Sequence, residues 1–194
     1  KPDAPASEPS TGEAAEPADL GDPEARFAEA LQLTRTGQSV EAVAAFMALG
    51  KDFPEFSGPP TNLGILHAQA DRLAPAIAAL ERATQANPDN KVAYNWLGVL
   101  HREGRQYDKA RAAYEKALAA DPDYAAARLN LGLLYEDHLR QPAEALVQYR
   151  EYLRITDGKD LRVLPWIGEI EATMAAQTES VAPASAAPEE REVK

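Results

Sequence analysis

The sequence predicts an all-α fold, specifically an α-solenoid of four helix-turn-helix repeats closed by a C-terminal capping helix. Three columns of residues recur at an interval of 34 positions: Pro54, Pro88 and Pro122; Gly64, Gly98 and Gly132; and Ala42, Ala76 and Ala110. Three columns in one register indicate stacked repeats, because a fixed period of this length is typical of solenoids. Between the prolines, apolar residues follow a helical period in two segments per repeat.

The two ends of the chain differ from its middle in composition and charge. Residues 1–22 carry a net charge of −5 and residues 178–194 carry −2, out of −11 for the whole chain. Both segments are rich in Pro, Ala, Ser and Glu, and such segments bury too little apolar surface to offset chain entropy. We therefore expect a disordered acidic tether over 1–22, a folded domain over 23–177 and a disordered tail over 178–194.

The repeats are predicted at 23–56, 57–90, 91–124 and 125–158. Asp22 and Pro23 have the residue types of a helix cap and first turn, so the opening helix is expected to begin there. In the third repeat, Gly98 allows its two helices to approach closely, and Tyr114 is expected to fill space towards the next pair. The fourth repeat has one extra residue in its turn, between His138 and Pro142.

A capping helix is predicted over about 160–177, because the last repeat would otherwise expose an apolar face. Its apolar side chains fall at helical spacing, with Trp166 beside them: Leu161, Leu164, Ile167, Ile170 and Met174. Pro165 either starts this helix or kinks it. The N-terminal end of the segment is therefore open to two interpretations, a continuous helix or a loop followed by a shorter helix.

The clearest repeat, residues 91–124, resembles the tetratricopeptide repeat (TPR) family. The residues that carry the resemblance are Tyr94, Leu97, Gly98, Tyr107, Ala110, Tyr114, Ala117 and Pro122. The similarity extends over residues 23–158. The first repeat is the weakest copy, since Ala30 stands where the family has glycine.

The resemblance implies a concave groove lined by the first helix of each repeat. Its candidate partner-binding residues are Phe27, Leu31, Arg35, Ile65, Gln69, Asn95, Val99, Arg102, Glu103, Leu129, Leu133, Glu136 and Asp137. The ninth position of every repeat is aliphatic, and the rim is charged at both ends. An apolar floor with a polar rim suits an amphipathic helix or an extended apolar peptide. Alternatively, the ninth-position side chains pack between neighbouring first helices.

Several function classes are not supported by the sequence. Zero cysteines exclude disulfides and thiolate chemistry, and the acidic balance argues against a nucleic-acid partner. The chain carries no catalytic or cofactor motif, so no enzyme activity and no cofactor are expected. His67 and His101 take the place of a family aromatic, which predicts packing residues and no metal site. The lysine and arginine partners of a chaperone-type carboxylate clamp are missing.

The sequence therefore predicts a non-catalytic protein-protein interaction scaffold, and the TPR resemblance is nearest to small bacterial periplasmic lipoproteins. The sequence starts at Lys1, after which comes the acidic Pro/Ala-rich segment that often follows a lipidated cysteine. On this basis we expect an accessory factor of a bacterial envelope complex, periplasmic and anchored by lipid to the outer membrane. The alternatives are a cytoplasmic adaptor and a self-associating structural protein whose contact element is the Trp166 helix. The oligomeric state is left open.

Overall fold

The structure is a computed structural model that describes residues 20–181 of the 194-residue chain, with side chains through Gln177. Most of the predicted disordered tether (1–22) and of the predicted disordered tail (178–194) lies outside the described residues. Leu20, Gly21 and Asp22 are described at one edge, and at the other the last helix continues to Val181.

All regular structure in the described part of the chain is helical, and its arrangement confirms the predicted α-solenoid. Four helix-turn-helix pairs follow one another along the chain, and each helix packs mainly on the helices before and after it. The pairs are α1 (Pro23–Arg35) with α2 (Ser39–Asp52), α3 (Gly58–Gln69) with α4 (Leu73–Ala86), α5 (Lys91–Glu103) with α6 (Tyr107–Ala120), and α7 (Ala125–Leu134) with α8 (Pro142–Ile155). A 3₁₀ turn (Leu161–Val163) leads into the final helix, α9 (Leu164–Val181).

The first helix begins at the predicted cap. The Asp22 carboxylate accepts hydrogen bonds from the backbone N–H groups of Glu24 and Ala25, at 3.1 and 3.2 Å. The Arg26 guanidinium links α1 to the segment before it and to the helix after it. It donates a hydrogen bond to the Leu20 carbonyl at 2.7 Å and forms an ion pair with Asp52 of α2 at 2.8 Å. The last residues of the predicted tether are therefore held against the repeat domain.

A glycine on the first helix of a pair makes room for a large side chain on the second. A Cβ added to Gly64 would lie 2.5 Å from Leu80, and one added to Gly132 would lie 2.5 Å from the Tyr149 ring. Gly98 meets the Tyr114 ring in the same way. Tyr114 also packs with Leu131 and Leu134 of α7, so it fills space within its own pair as well as towards the next.

The extra residue of the fourth repeat is absorbed by a π-helical turn, Tyr135–Leu139, which follows α7 directly. The turns between paired helices otherwise share one geometry, with a left-handed residue at Gly37, Asp71, Arg105 and Arg140. The π turn lets Arg140 adopt this conformation despite the longer connection. π turns of this kind are frequent at functional sites.

The final helix starts at Leu164 with Pro165 in its first turn, so the proline begins the helix and does not kink it. Leu161 and Leu164, predicted to face the core, are 59% and 45% exposed. Because residues 161–163 form a 3₁₀ turn and not part of the α-helix, a different set of side chains faces the core. Val163 is buried there with Ile167 and Ile170.

Trp166 is half-buried, and its ring lies 5.5 Å from that of Tyr149 in α8. It therefore packs within this chain, which weakens its predicted role as a contact element for self-association. Among the described helices, none is both long enough and apolar enough to cross a membrane.

Candidate functional site

The predicted groove depends on how the first helices of successive pairs meet. Besides packing on its own second helix, α5 contacts α3 on one side and α7 on the other. The polar side chains at the fifth position, Thr61 and Asn95, lie at these contacts. Three residues predicted to line the groove are at this position, and the structure buries Asn95 while Phe27 and Leu129 are half-buried.

Asn95 is 7% exposed and joins two first helices. Its Oδ1 accepts a hydrogen bond from Nδ2 of Asn130 on α7 at 3.0 Å. The equivalent residue of the second repeat, Thr61, is also buried and accepts from Nδ2 of Asn90 at 2.8 Å. The polar fifth-position side chains are therefore used to hold neighbouring pairs together.

The apolar side chains at the fifth position, Phe27 and Leu129, are half-buried, and each packs against a core cluster of this chain. The Phe27 ring lies 5.7 Å from the Phe46 ring and 5.0 Å from the Phe56 ring. It also packs closely on Gly58 at the start of α3, where an added Cβ would lie 3.0 Å from the Phe27 ring. Leu129 packs against the cluster that α8 and α9 form. Phe27 and Leu129 therefore keep part of their apolar surface open, whereas the polar side chains of this row are buried.

The ninth-position row shows features of both interpretations that the sequence left open. All four side chains are half-buried: Leu31, Ile65, Val99 and Leu133. Three of them also pack against core clusters of this chain, namely Leu31, Val99 and Leu133. Each side chain thus contributes to packing and keeps part of its apolar surface open.

The rim residues are exposed at both ends of the groove, as they should be for contact with a partner. Arg35, Gln69, Glu103 and Asp137 are exposed, and Arg102 is half-buried. Glu136, which the sequence also assigned to the rim, is engaged within the molecule. Its Oε2 accepts a hydrogen bond of 2.6 Å from the Tyr149 hydroxyl, because Glu136 lies one helical turn beyond Gly132, where the Tyr149 ring packs.

A cavity of about 440 Å³ opens where the turn between α5 and α6 meets the π turn. The residues that line it are Arg102, Glu103, Arg105, Tyr107, Asp137 and His138. The rings of Tyr107 and His138 are stacked, with centroids 4.6 Å apart and planes 11° apart. Arg105, Tyr107 and His138 were not among the residues predicted to line the groove. The extra residue in the fourth turn is the sequence signal that could have drawn attention to them.

Two histidines lie at the predicted packing positions on the first helices. His67 is half-buried, and burial lowers its pKa, with a smaller effect from the nearby Arg72. Nδ1 of His101 lies 3.0 Å from Oε1 of Gln106, in the turn after α5. Within residues 20–181, no three His, Asp or Glu side chains come together in a way that could hold a metal ion.

The comparison with known families agrees with this architecture. The tetratricopeptide repeat model matches residues 61–123 and 99–160, which together span just over half of the chain. The protein therefore belongs to the tetratricopeptide repeat family. Members of this family are generally non-enzymatic, and the fold is that of a protein-protein interaction scaffold.

Solved structures with the same fold come from several bacterial TPR proteins. MamA is 25% identical with a TM-score of 0.63, over 73% of this chain and 82% of MamA. A thermophilic TPR protein of Thermus thermophilus is 24% identical with a TM-score of 0.63, over 78% and 82% of the two chains. PilF of Pseudomonas aeruginosa is 16% identical with a TM-score of 0.70, over 80% and 70%. No curated protein matches the chain significantly.

Proposed function

We propose that this protein is a non-catalytic scaffold that captures an amphipathic helix or an apolar peptide of a partner protein on its concave face. The observation that carries the proposal is the ninth-position row. Each of the four helix pairs offers one half-buried aliphatic side chain on its first helix, and polar rim residues lie beside that row. Stacked repeats characteristically use such extended concave surfaces for binding.

The partner-binding surface is narrower than the sequence suggested. Its floor consists of Leu31, Ile65, Val99 and Leu133. Its rim consists of Arg35, Gln69, Arg102, Glu103 and Asp137. Phe27 and Leu129 are half-buried like the floor residues and remain in the proposed surface, whereas Asn95 and Glu136 are engaged in hydrogen bonds within the chain.

Replacement of Ile65 by Ser together with Val99 by Ala is expected to weaken partner binding by about tenfold or more, since both remove apolar contact area from the middle of the floor. The partner would be captured from native cells on the immobilised protein, identified, and its affinity for each variant measured by calorimetry. Helix content should be unchanged by circular dichroism.

A matched control removes aliphatic surface outside the groove. Val40 is 80% exposed on α2 and Val147 is 54% exposed on α8. The double variant Val40→Ser/Val147→Ser should bind the partner as well as the wild type does. Equal affinity of the groove variant and the wild type would refute binding on the concave face.

We also propose that the scaffold works as an assembly or accessory factor of a bacterial envelope complex, held in the periplasm by a lipid anchor at the outer membrane. The composition of residues 1–22, acidic and rich in Pro and Ala, supports this setting because it suits an extended tether. The alternative is a cytoplasmic adaptor.

Fractionation of native cells distinguishes these locations. An anchored periplasmic protein should sediment with the outer membrane and become accessible to added protease once that membrane is permeabilised. Recovery in the soluble cytoplasmic fraction would contradict the envelope setting and favour the adaptor.

A further inference from the structure

Two buried tyrosines hold equivalent places in the third and fourth helix pairs but differ in their hydrogen bonds. Tyr114 and Tyr149 are both 0% exposed, and their rings pack on Gly98 and Gly132 respectively. The Tyr149 hydroxyl donates to the carboxylate of Glu136, which lies four residues after its glycine. The fourth pair thus supplies its own acceptor.

The third pair lacks this acceptor. The residue four positions after Gly98 is Arg102, and a guanidinium group can only donate hydrogen bonds. The hydroxyl of Tyr114 is buried and has no hydrogen-bond partner within the described part of the chain. Burial raises the pKa of Tyr114 to about 12. The Tyr114 ring packs on Gly98 as the Tyr149 ring packs on Gly132, so Arg102 holds the place in the third pair that Glu136 holds in the fourth.

Arg102 and Glu103 also line the 440 Å³ cavity at the rim of the groove. Four charged side chains border this cavity: Arg102, Glu103, Arg105 and Asp137. In residues 20–181, none of the four makes a side-chain hydrogen bond or an ion pair within the molecule. The Arg102 guanidinium is therefore an unused donor that lines the cavity, and the Tyr114 hydroxyl is an unused donor buried in the same helix pair.

We propose that this cavity receives a carboxylate from an acidic side chain of the bound partner segment, with its oxygens accepting hydrogen bonds from Arg102 and from the Tyr114 hydroxyl. The contact repeats the Tyr149–Glu136 pair, with the acceptor supplied by the partner. It rests on the proposed function, because the acidic residue must be carried by a segment that lies in the groove. Within residues 20–181 the Arg102 side chain has no hydrogen-bond or ion-pair partner, so it can turn towards the carboxylate, and the hydroxyl would become accessible as the partner binds.

The two acids at the cavity restrict the partner further. Glu103 and Asp137 repel a lone carboxylate, so the partner segment should place a cation near its acid. A helix with a Glu and a Lys four residues apart has this arrangement on one face. A partner segment of this kind would neutralise charges of both signs around the cavity.

The first test concerns the free protein. Tyr114→Phe removes a hydroxyl that makes no internal hydrogen bond, so its melting temperature should equal or exceed that of the wild type. The matched variant Tyr149→Phe removes the bond to Glu136 and should melt at a lower temperature. A clear loss of stability in Tyr114→Phe would show that the hydroxyl is already satisfied, and would overturn the proposal.

The second test uses a displayed library of random 16-residue peptides as the probe. Peptides are selected on the wild-type protein and counter-selected on Ile65→Ser/Val99→Ala, so that the survivors bind in the groove. The survivors should share an Asp or Glu whose replacement by Asn or Gln lowers affinity about tenfold for the wild type. For the double variant Tyr114→Phe/Arg102→Gln, the same replacement should change affinity by less than about twofold.

The outcomes separate this proposal from the function on which it rests. Groove-dependent peptides without an acidic requirement would overturn the carboxylate site and leave the scaffold function intact. An acidic requirement that persists in Tyr114→Phe/Arg102→Gln would place the acid elsewhere and also overturn it. Failure to obtain any peptide that depends on Ile65 and Val99 would count against both.

Discussion

The free energy of unfolding is expected to fall steeply between pH 10 and pH 12. Tyr114 and Tyr149 are 0% exposed, and burial raises the pKa of Tyr114 to about 12. Burial also raises the pKa of Tyr149, and the hydrogen bond to the Glu136 carboxylate adds to this effect. In the unfolded chain both phenols ionise near pH 10.

The sign of this pH dependence follows from the number of phenolic protons bound by the folded protein and by the unfolded chain. Below pH 10 both states hold the phenolic protons, and this contribution to stability is fully present. Above pH 10 the unfolded chain releases protons that the folded protein retains, so stability decreases as the pH rises. Each tyrosine contributes about 1.4 kcal/mol per pH unit until its folded pKa is reached.

Urea unfolding followed by circular dichroism at pH 9, 10, 11 and 12 measures this slope. The variant Tyr114→Phe/Tyr149→Phe should lose stability with pH markedly more slowly than the wild type, whatever its stability at neutral pH. An unchanged slope in this variant would show that the two phenols ionise as easily in the folded protein as in the unfolded chain.

The fold could be predicted because its signals are local and repeat. Gly64, Gly98 and Gly132 have to be small because they receive Leu80, Tyr114 and Tyr149, and this requirement recurs in the second, third and fourth helix pairs. The Asp22 cap needs only its own neighbours in the chain. Such constraints leave the same residue type at the same interval, and a period in one sequence is enough to reveal them.

The groove was predicted less well because its lining depends on the angle between successive pairs. Whether Asn95 faces a partner or Asn130 is decided by how closely α5 and α7 approach, and no residue pattern in α5 alone records that distance. The hydrogen bond between Glu136 and Tyr149 was not predicted because Glu136 lies in the π turn, whose geometry could not be deduced from one extra residue.

The polar fifth-position residues also explain how neighbouring first helices are held together. Thr61 and Asn95 accept hydrogen bonds from Asn90 and Asn130 of the following pairs, and the ninth-position side chains are left partly open. Because these helices are already joined, the apolar floor does not have to be ordered on binding. Less entropy is then lost when a partner binds.

Gly98→Ala is expected to destabilise the protein by about 1–3 kcal/mol, as overpacking of a well-filled core usually does. The added Cβ would lie under 3.0 Å from the Tyr114 ring, closer than real Cβ contacts come. The ring cannot move away easily, because it is 0% exposed and is packed against Leu131 and Leu134 of the next pair. Urea denaturation at neutral pH measures the change.

A second glycine gives the matched control, with the opposite sign. Gly168 lies inside α9, and an added Cβ there meets nothing within 4 Å, so Gly168→Ala should raise stability by up to about 1 kcal/mol through helix propensity. The cost at Gly98 should shrink when Tyr114→Leu is combined with Gly98→Ala, since the two residues share one contact and their effects should not add. If Gly98→Ala were as stable as Gly168→Ala, close packing between glycine and tyrosine could not be what joins the third helix pair.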